Sequence, residues 1–173
     1  MKYNTESIKI YGVILILILG IVAVSTNYWS INNINKNNNP DNINNNSINS
    51  NFGLWKFCQT QGNDKKICIN TANLSSNNLQ NLNTVKILSI SSLFLIALSL
   101  YLLYYMPKQK EYFVLCLVLA GILSVISVII WNNDKAFKNY IGDVKHGYSW
   151  YLQLFNGLIA ILLASLTQLN IIA

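Results

Sequence analysis

Four long apolar runs constrain the fold of this chain more than any other feature. They span residues 10–26, 85–106, 112–131 and 148–169. Each is close to the roughly 20 residues that an α-helix needs to cross about 30 Å of hydrocarbon. Apolar side chains occupy every side of these segments, whereas a surface helix of a soluble protein keeps one polar face. The runs therefore predict four membrane-spanning helices, and a length of 173 residues leaves room for one domain.

The composition supports solvation by lipid. Hydrophobic residues make up 53% of the chain and charged residues only 10%, against about 25% charged in typical globular domains. The net charge of +6 comes from lysine, with no arginine. These lysines are scattered and form no basic stripe that could follow a phosphate backbone. We therefore expect a lipid bilayer as the environment and no nucleic acid as a partner.

The ends of the runs carry the signals of membrane boundaries. Pro107 stops the second helix, and the short link 107–111 requires the second and third helices to form an antiparallel hairpin. Lys86 is the only charge within the runs, and its stem can carry the ammonium group to the headgroups. Aromatic rings prefer the headgroup level, and at the predicted ends they are Tyr28, Trp29, Tyr104, Tyr105, Trp131, Tyr148, Trp150 and Tyr151.

The first run has a second interpretation. Its basic start and the small residues Ala23-Val24-Ser25 resemble a cleavable signal peptide. The run is longer than the usual signal core of about 7–15 residues, and Tyr28 and Trp29 follow it as an aromatic belt. These features favour a retained helix.

A polar loop, residues 27–84, separates the first two runs. Residues 32–51 are mostly asparagine, with Ile, Ser and one Pro-Asp, and predict a loose, poorly ordered excursion. The part after this segment predicts a β-hairpin, with one strand through Phe52–Cys58, a turn at 62–64 and a return strand at 65–70. In that strand Phe52, Leu54, Lys56 and Cys58 would share one face, opposite Trp55 and Phe57. A second outer loop would span residues 132–147.

The hairpin holds Cys58 and Cys68, which antiparallel strands can bring to the Cα spacing of about 5.5 Å that a disulfide needs. We predict this bond, which requires an oxidising compartment and therefore places the loop outside the cell or in a lumen. Two free thiols or half of a metal site are the alternatives. His146 is the only histidine, so zinc is not expected. Cys116, within the third run, is interpreted as a small packing residue.

Two further patterns bear on orientation. Glycosylation sequons begin at Asn45 and Asn73, both in the first loop. The lysine counts indicate the opposite orientation, since more lysines would lie outside than inside. We give the disulfide argument precedence over these counts.

The loop carries a motif. Trp29 after the first run, then Gly53-Leu54-Trp55, then Cys58 and Cys68, resembles the signature of the claudin superfamily. That superfamily includes peripheral myelin and epithelial membrane proteins, lens fibre membrane protein and calcium-channel gamma subunits. Residues 79–90 and 147–151 are most similar to the peripheral myelin and epithelial membrane branch.

The resemblance implies an all-α membrane protein: a left-handed four-helix transmembrane bundle, both termini cytoplasmic, with a small extracellular β-sheet. Gly53, Leu54 and Trp55 would anchor that sheet, and Cys58–Cys68 would pin it. The Asn-rich segment departs from the family pattern, and Lys86 stands near a claudin arginine. The chain stops at Ala173, so we expect no scaffold-binding C-terminal tail.

Small and amide residues recur at helical spacing along one side of the fourth run and are predicted to pack against other helices: Gln153, Asn156, Gly157, Ala160 and Ala164. Ala120, Ser124 and Ser127 of the third run are the expected facing set. An ion pathway is the alternative, but amides carry no protons. His146 and the pair Lys65-Lys66 are interpreted as solvated.

The sequence shows no nucleophile–base pair, metal cluster, phosphate-binding loop or intramembrane carboxylate. We therefore expect no enzyme, cofactor or metal. Two functions are predicted for a multi-pass protein of the plasma membrane. The first is the organisation of cell–cell or membrane contacts, through the first loop and lateral self-association. The alternative is an auxiliary subunit that packs against a channel, a receptor or another membrane protein.

Overall fold

The computed structural model describes residues 5–35, 47–61, 65–71, 80–134 and 145–169. Within these residues, four helices and five short strands follow one another in this order: α1 (Thr5–Ser25), β1 (Ser30–Asn35), β2 (Ser47–Phe52), β3 (Lys56–Gln61), β4 (Lys65–Asn70), α2 (Gln80–Tyr105), α3 (Lys110–Asn133), β5 (Lys145–His146) and α4 (Tyr148–Gln168). The strands form one antiparallel sheet in the order β4-β3-β2-β1-β5. The glycosylation sequons at Asn45 and Asn73 lie outside the described residues.

All four helices are long and apolar enough to cross a membrane, as predicted. Two helices begin five residues earlier than predicted: α1 begins at Thr5 instead of residue 10, and α2 begins at Gln80 instead of residue 85. The added turn of α2 is amphipathic: Leu82 and Val85 are buried, while Asn81 and Asn83 are exposed. Because its apolar side packs with the aromatic residues of the sheet, the helix extends beyond the purely apolar run.

Helices α2 and α3 form the expected hairpin. The last turn of α2 closes when the amide of Met106 donates to the carbonyl oxygen of Leu102 at 2.9 Å, and the amide of Gln109 then donates to that of Met106 at 2.9 Å. Pro107 lies within this turn and cannot continue the helix. The start of α1 and the end of α4 lie at the same end of the bundle as this link, because Lys9, Pro107 and Thr167 line one small cavity.

The backbones of α3 and α4 come close at Gly121 and Gly157. A Cβ atom added to Gly157 would lie 2.9 Å from the carbonyl oxygen of Gly121 and 3.0 Å from Cβ of Ser124. A Cβ on Gly121 would lie 2.7 Å from the carbonyl oxygen of Gly157. Small residues permit this approach between membrane helices. Gly121 was not identified from the sequence, although it lies one residue from Ala120 of the predicted facing set.

The prediction for the Asn-rich segment was wrong at both of its ends. Most of β1 and of β2 falls within residues 32–51, and the two strands pair from Ser30 opposite Phe52 to Asn35 opposite Ser47. Asparagine is depleted in strands. The hydrogen bonds that pair two strands, however, are made by main-chain groups and do not depend on the side chain. The pairing of β1 with β2 is also fixed at one end, because Trp29 donates its amide to the carbonyl oxygen of Phe52 at 3.0 Å.

The predicted continuous strand through residues 52–58 was also wrong. The chain turns at Gly53-Leu54-Trp55, where the amide of Gly53 donates to the carbonyl oxygen of Lys56 at 2.9 Å. As a result Phe57 lies opposite Phe52 in the sheet register and on the same face, instead of on the opposite one. The return strand β4 has the predicted bounds.

The contact between α3 and α4 generates a prediction. Replacing Gly157 with Val should lower the free energy of unfolding by about 1–3 kcal/mol, since overpacking forces backbones apart. The measurement is thermal or denaturant unfolding in one fixed detergent. Ala97→Val is the matched control, because Ala97 is exposed on α2 and its added methyl groups meet detergent. Equal stability of Gly157→Val and Ala97→Val would refute the close contact.

Candidate functional site

Two indole rings satisfy the last carbonyl groups of α1. Trp29 donates from Nε1 to the carbonyl oxygen of Ala23, and Trp55 donates from Nε1 to that of Val24, both at 2.8 Å. The final carbonyls of a helix have no intrahelical donor, and at the edge of a membrane such groups are costly to leave unpaired. Trp29 and Trp55, the two tryptophans of the loop motif, therefore cap the C-terminal end of α1.

An aromatic cluster closes the sheet end of the bundle. The ring of Trp131, at the end of α3, lies 5.2 Å from that of Trp29 and 5.8 Å from that of Phe52, centroid to centroid. The Trp131 indole donates to the hydroxyl of Ser30 at 2.9 Å. Trp131 is 5% exposed and Trp29 is fully buried, so the expected place of both rings in an aromatic belt at the headgroups was wrong. Trp131 packs beneath the sheet, which covers the bundle.

Gly53 and Gly147 hold the sheet and the start of α4 against the segment that follows α1. A Cβ atom on Gly53 would overlap the backbone of Asn27, and one on Gly147 would overlap the carbonyl group of Tyr28. The amide of Gly147 donates to the carbonyl oxygen of Trp29 at 3.0 Å. Leu54, beside Gly53, is fully buried. The motif glycine is therefore required by a backbone contact.

Lys86 joins α2 to the motif. Its ammonium group donates to the hydroxyl of Thr71 at 3.1 Å, and that hydroxyl donates to the carbonyl oxygen of Leu54 at 2.8 Å. The same ammonium lies 5.4 Å from the centre of the Trp55 ring, within range of a cation–π interaction. Lys86 contacts the base of the sheet instead of extending to the headgroups as predicted. Thr71 gave no sequence signal, because its role depends on the fold.

The predicted Cys58–Cys68 disulfide is confirmed. The two residues are directly opposite on β3 and β4, with their Cα atoms 4.1 Å apart. Loop-closure entropy for so short a ring corresponds to about 2–3 kcal/mol. The third cysteine, Cys116, is a half-buried free thiol in α3.

The two faces of the sheet differ in character. Across the strands, Ser30, Phe52 and Phe57 form a row that faces the bundle, as shown by the register and by the packing of Phe52 on Trp131. Ile69 continues this row on β4 but is exposed. The other face carries the disulfide and polar residues. On the edge strand β4, Ile67 is 54% exposed and Ile69 is 43% exposed.

His146 was expected to be solvated, and this was wrong. It lies in β5, opposite Ser30 of β1. Its imidazole stacks on the ring of Trp150, with centroids 4.2 Å apart and planes 12° apart. The stacking needs the bend at Gly147 between strand and helix, which sequence spacing does not reveal. His146 therefore helps fix the end of the second outer loop to the sheet.

The small and amide residues of α4 all lie inside the bundle, and Gln153, Asn156, Ala160 and Ala164 are fully buried. Gln153 donates from Nε2 to the hydroxyl of Ser124 at 3.3 Å, and that hydroxyl donates to Ser92 at 3.1 Å. Polar contacts thus cross from α4 through α3 to α2. The amide of Asn156 lies beside Gly20 of α1.

The tryptophan caps generate a second prediction. Trp29→Phe and Trp55→Phe should each lower the free energy of unfolding by about 1–3 kcal/mol, because each leaves a helix carbonyl without its donor. Trp150→Phe is the matched control, since the Trp150 indole nitrogen has no hydrogen-bond partner in the part of the chain that the structure describes. The measurement is detergent-phase unfolding. If the three variants lost equal stability, ring size and not capping would account for the motif.

Comparison with known families agrees with this arrangement. The chain matches the model of the PMP-22/EMP/MP20/Claudin family over residues 7–167. No individual curated protein matches it. The match spans all four apolar helices, the sheet and the disulfide, while placement in the peripheral myelin and epithelial membrane branch stays a prediction. The chain belongs to the PMP-22/EMP/MP20/Claudin family.

Proposed function

We propose that this protein organises cell–cell or membrane contacts through the exposed edge of its sheet. The observation that supports this function is β4: every described side chain from Lys66 to Asn70 is exposed, including the large apolar residues Ile67 and Ile69. An edge strand presents unpaired main-chain donors and acceptors that can pair with another chain. A partner strand on β4 would cover both isoleucines.

The edge is separable from the anchor of the sheet. Trp29, Phe52 and Leu54 are buried where the sheet meets the helices, whereas Ile67 and Ile69 lie on the strand farthest from β1. Lys66 lies on the opposite face of the same strand, where a charge limits unspecific pairing. The apolar side of the edge is therefore available for a contact without disturbing the anchor.

The proposed setting is the plasma membrane, with the sheet outside and both termini in the cytoplasm. The support for this orientation is the disulfide, since such bonds persist in oxidising compartments. A membrane-impermeant amine reagent applied to intact cells should modify Lys56 and Lys66 and leave Lys108 and Lys110 unmodified. Modification of Lys108 and Lys110 alone would reverse the orientation and remove the proposed function.

The contact proposal is tested in adherent cells that express the tagged full chain. Wild type should concentrate at cell borders. The double variant Ile67→Glu/Ile69→Glu should reach the surface with its disulfide formed, and its border enrichment should fall about tenfold, since a loss of about 1.4 kcal/mol suffices for that factor. Burial of isoleucine side chains contributes at least this much.

Two controls make the result specific. Ile67→Val/Ile69→Val keeps the edge apolar and should retain the enrichment. Lys66→Gln changes the opposite face of β4 and should also retain it. Equal enrichment of wild type and the glutamate variant, with intact disulfides in both, would contradict the proposal.

The alternative is an auxiliary subunit that packs against a channel or receptor. It gains no support from the small residues of α4, because these residues are buried among the helices. A partner would instead meet an outward helix face such as that of α2, where Phe94 is 68% exposed. A photo-crosslinking residue at position 94 in native membranes should then capture one membrane protein. Recovery of lipid or self-contacts alone would count against this alternative.

A further inference from the structure

The strands of the sheet carry positive charge and no negative charge. Lysine occurs four times in the five strands, at positions 56, 65, 66 and 145, whereas aspartate and glutamate do not occur in them. A surface that carries one sign of charge attracts molecules of the opposite sign and speeds their association. The sheet therefore gives this end of the bundle a basic surface.

Three of these lysines share the outer face of the sheet, the face that points away from the bundle. Lys145 belongs, through the register of the five strands, to the row that contains the Cys58–Cys68 disulfide. Lys56 lies two residues before Cys58 on β3, and Lys66 stands in the same relation to Cys68 on β4. Because residues two apart in a strand point to the same side, all three lysines lie on this face. Their side chains are exposed.

The spacing of the three lysines favours an extended anion over a small one. Lys56 lies opposite Asn70, four residues along β4 from Lys66, which corresponds to about 14 Å along the strand. Lys145 is three strands from Lys56, which corresponds to about 14 Å across the sheet. Strand side chains stand roughly perpendicular to the sheet, so the ammonium groups keep this separation. A small ion contacts one of them at a time, whereas a chain with repeated anionic groups can contact all three.

Between the lysines, the outer face offers hydrogen-bonding groups instead of apolar anchors. Asn49, Asn51 and Thr60 lie on it by the register, and their amide and hydroxyl groups both donate and accept. The exposed isoleucines of β4, Ile67 and Ile69, lie on the other face. Tight protein partners rely on aromatic and other large anchors, and binding to a membrane surface uses apolar side chains that enter the headgroup region. A hydroxyl-rich polyanion needs neither and therefore fits this face best.

We propose that the outer face of the sheet binds a sulfated polysaccharide. Sulfate groups of the polysaccharide accept charge-assisted hydrogen bonds from Lys56, Lys66 and Lys145, and its hydroxyl groups pair with the amides of Asn49 and Asn51. This binding goes beyond the proposed contact function, which uses the isoleucines on the other face of β4. The two proposals can fail separately, because Lys66→Gln should weaken polysaccharide binding and leave enrichment at cell borders unchanged.

Binding of the purified full chain, in an uncharged detergent, to immobilised heparin tests this proposal. Fully desulfated heparin is the matched probe. Wild type should bind heparin in preference to the desulfated chain, and its affinity should fall as salt is raised. Lys56→Gln and Lys66→Gln should each weaken the affinity about threefold, the effect of one exposed ion pair. The triple variant that adds Lys145→Gln should weaken it about 25-fold, since sites this far apart contribute additively.

Control variants exclude general effects of charge and folding. The triple arginine variant Lys56→Arg/Lys66→Arg/Lys145→Arg keeps the charges and should retain the affinity of wild type. Lys108→Gln removes an exposed charge at the opposite end of the bundle and should leave heparin binding unchanged, and each variant is checked for its intact disulfide. Equal binding to the two heparins, or an affinity that the triple glutamine variant leaves unchanged, would overturn the proposal. Equal affinity for poly-L-glutamate of the same length would also overturn it, and would assign the face to an acidic protein segment.

Discussion

The architecture depends on how the chain completes the hydrogen bonds at the end of α1. A helix that ends at a membrane surface presents carbonyl groups that the chain itself must satisfy. Here Trp29 and Trp55 donate to consecutive carbonyls, those of Ala23 and Val24. Trp29 begins the path into β1, and Trp55 ends the turn between β2 and β3. The two donors therefore fix both ends of the first β-hairpin to one turn of helix.

The other elements are positioned by the same contact. Trp131 of α3 packs on Trp29, Gly147 before α4 donates to the carbonyl oxygen of Trp29, and Lys86 of α2 lies over the Trp55 ring. Helices α2 and α3 therefore contact a capping tryptophan directly, and α4 does so through Gly147, the residue that precedes it. The sheet is a part of the bundle's packing, and its free edge, β4, lies farthest from this anchor.

The sequence was informative where the governing physics is local. Hydropathy predicted the four helices, because crossing a bilayer imposes length and composition on each segment alone. The spacing of Cys58 and Cys68 across a turn predicted the disulfide, and the motif around Trp55 predicted the family. These signals need no knowledge of the rest of the chain.

The sequence was uninformative where the structure depends on residues that are distant along the chain. Strands β1 and β2 lie partly in asparagine-rich sequence because the main chain, anchored at Trp29 and Phe52, supplies their pairing. Thr71 accepts a hydrogen bond from Lys86, and Gly121 permits the close approach of Gly157. Both contacts form only in the folded chain. His146 illustrates the same limit, since its stacking on Trp150 follows from a bend at Gly147.

Contacts with α1 hold the sheet in place, and the disulfide locks only its outer hairpin. Hydrogen exchange of the full chain in lipid nanodiscs, before and after selective reduction of Cys58–Cys68, tests this directly. We expect the amides of β1 and β2 near Ser30 and Phe52 to stay protected after reduction, while those of β4 from Lys66 to Asn70 lose protection. Simultaneous loss of protection throughout strands β1, β2, β3 and β4 would contradict the account.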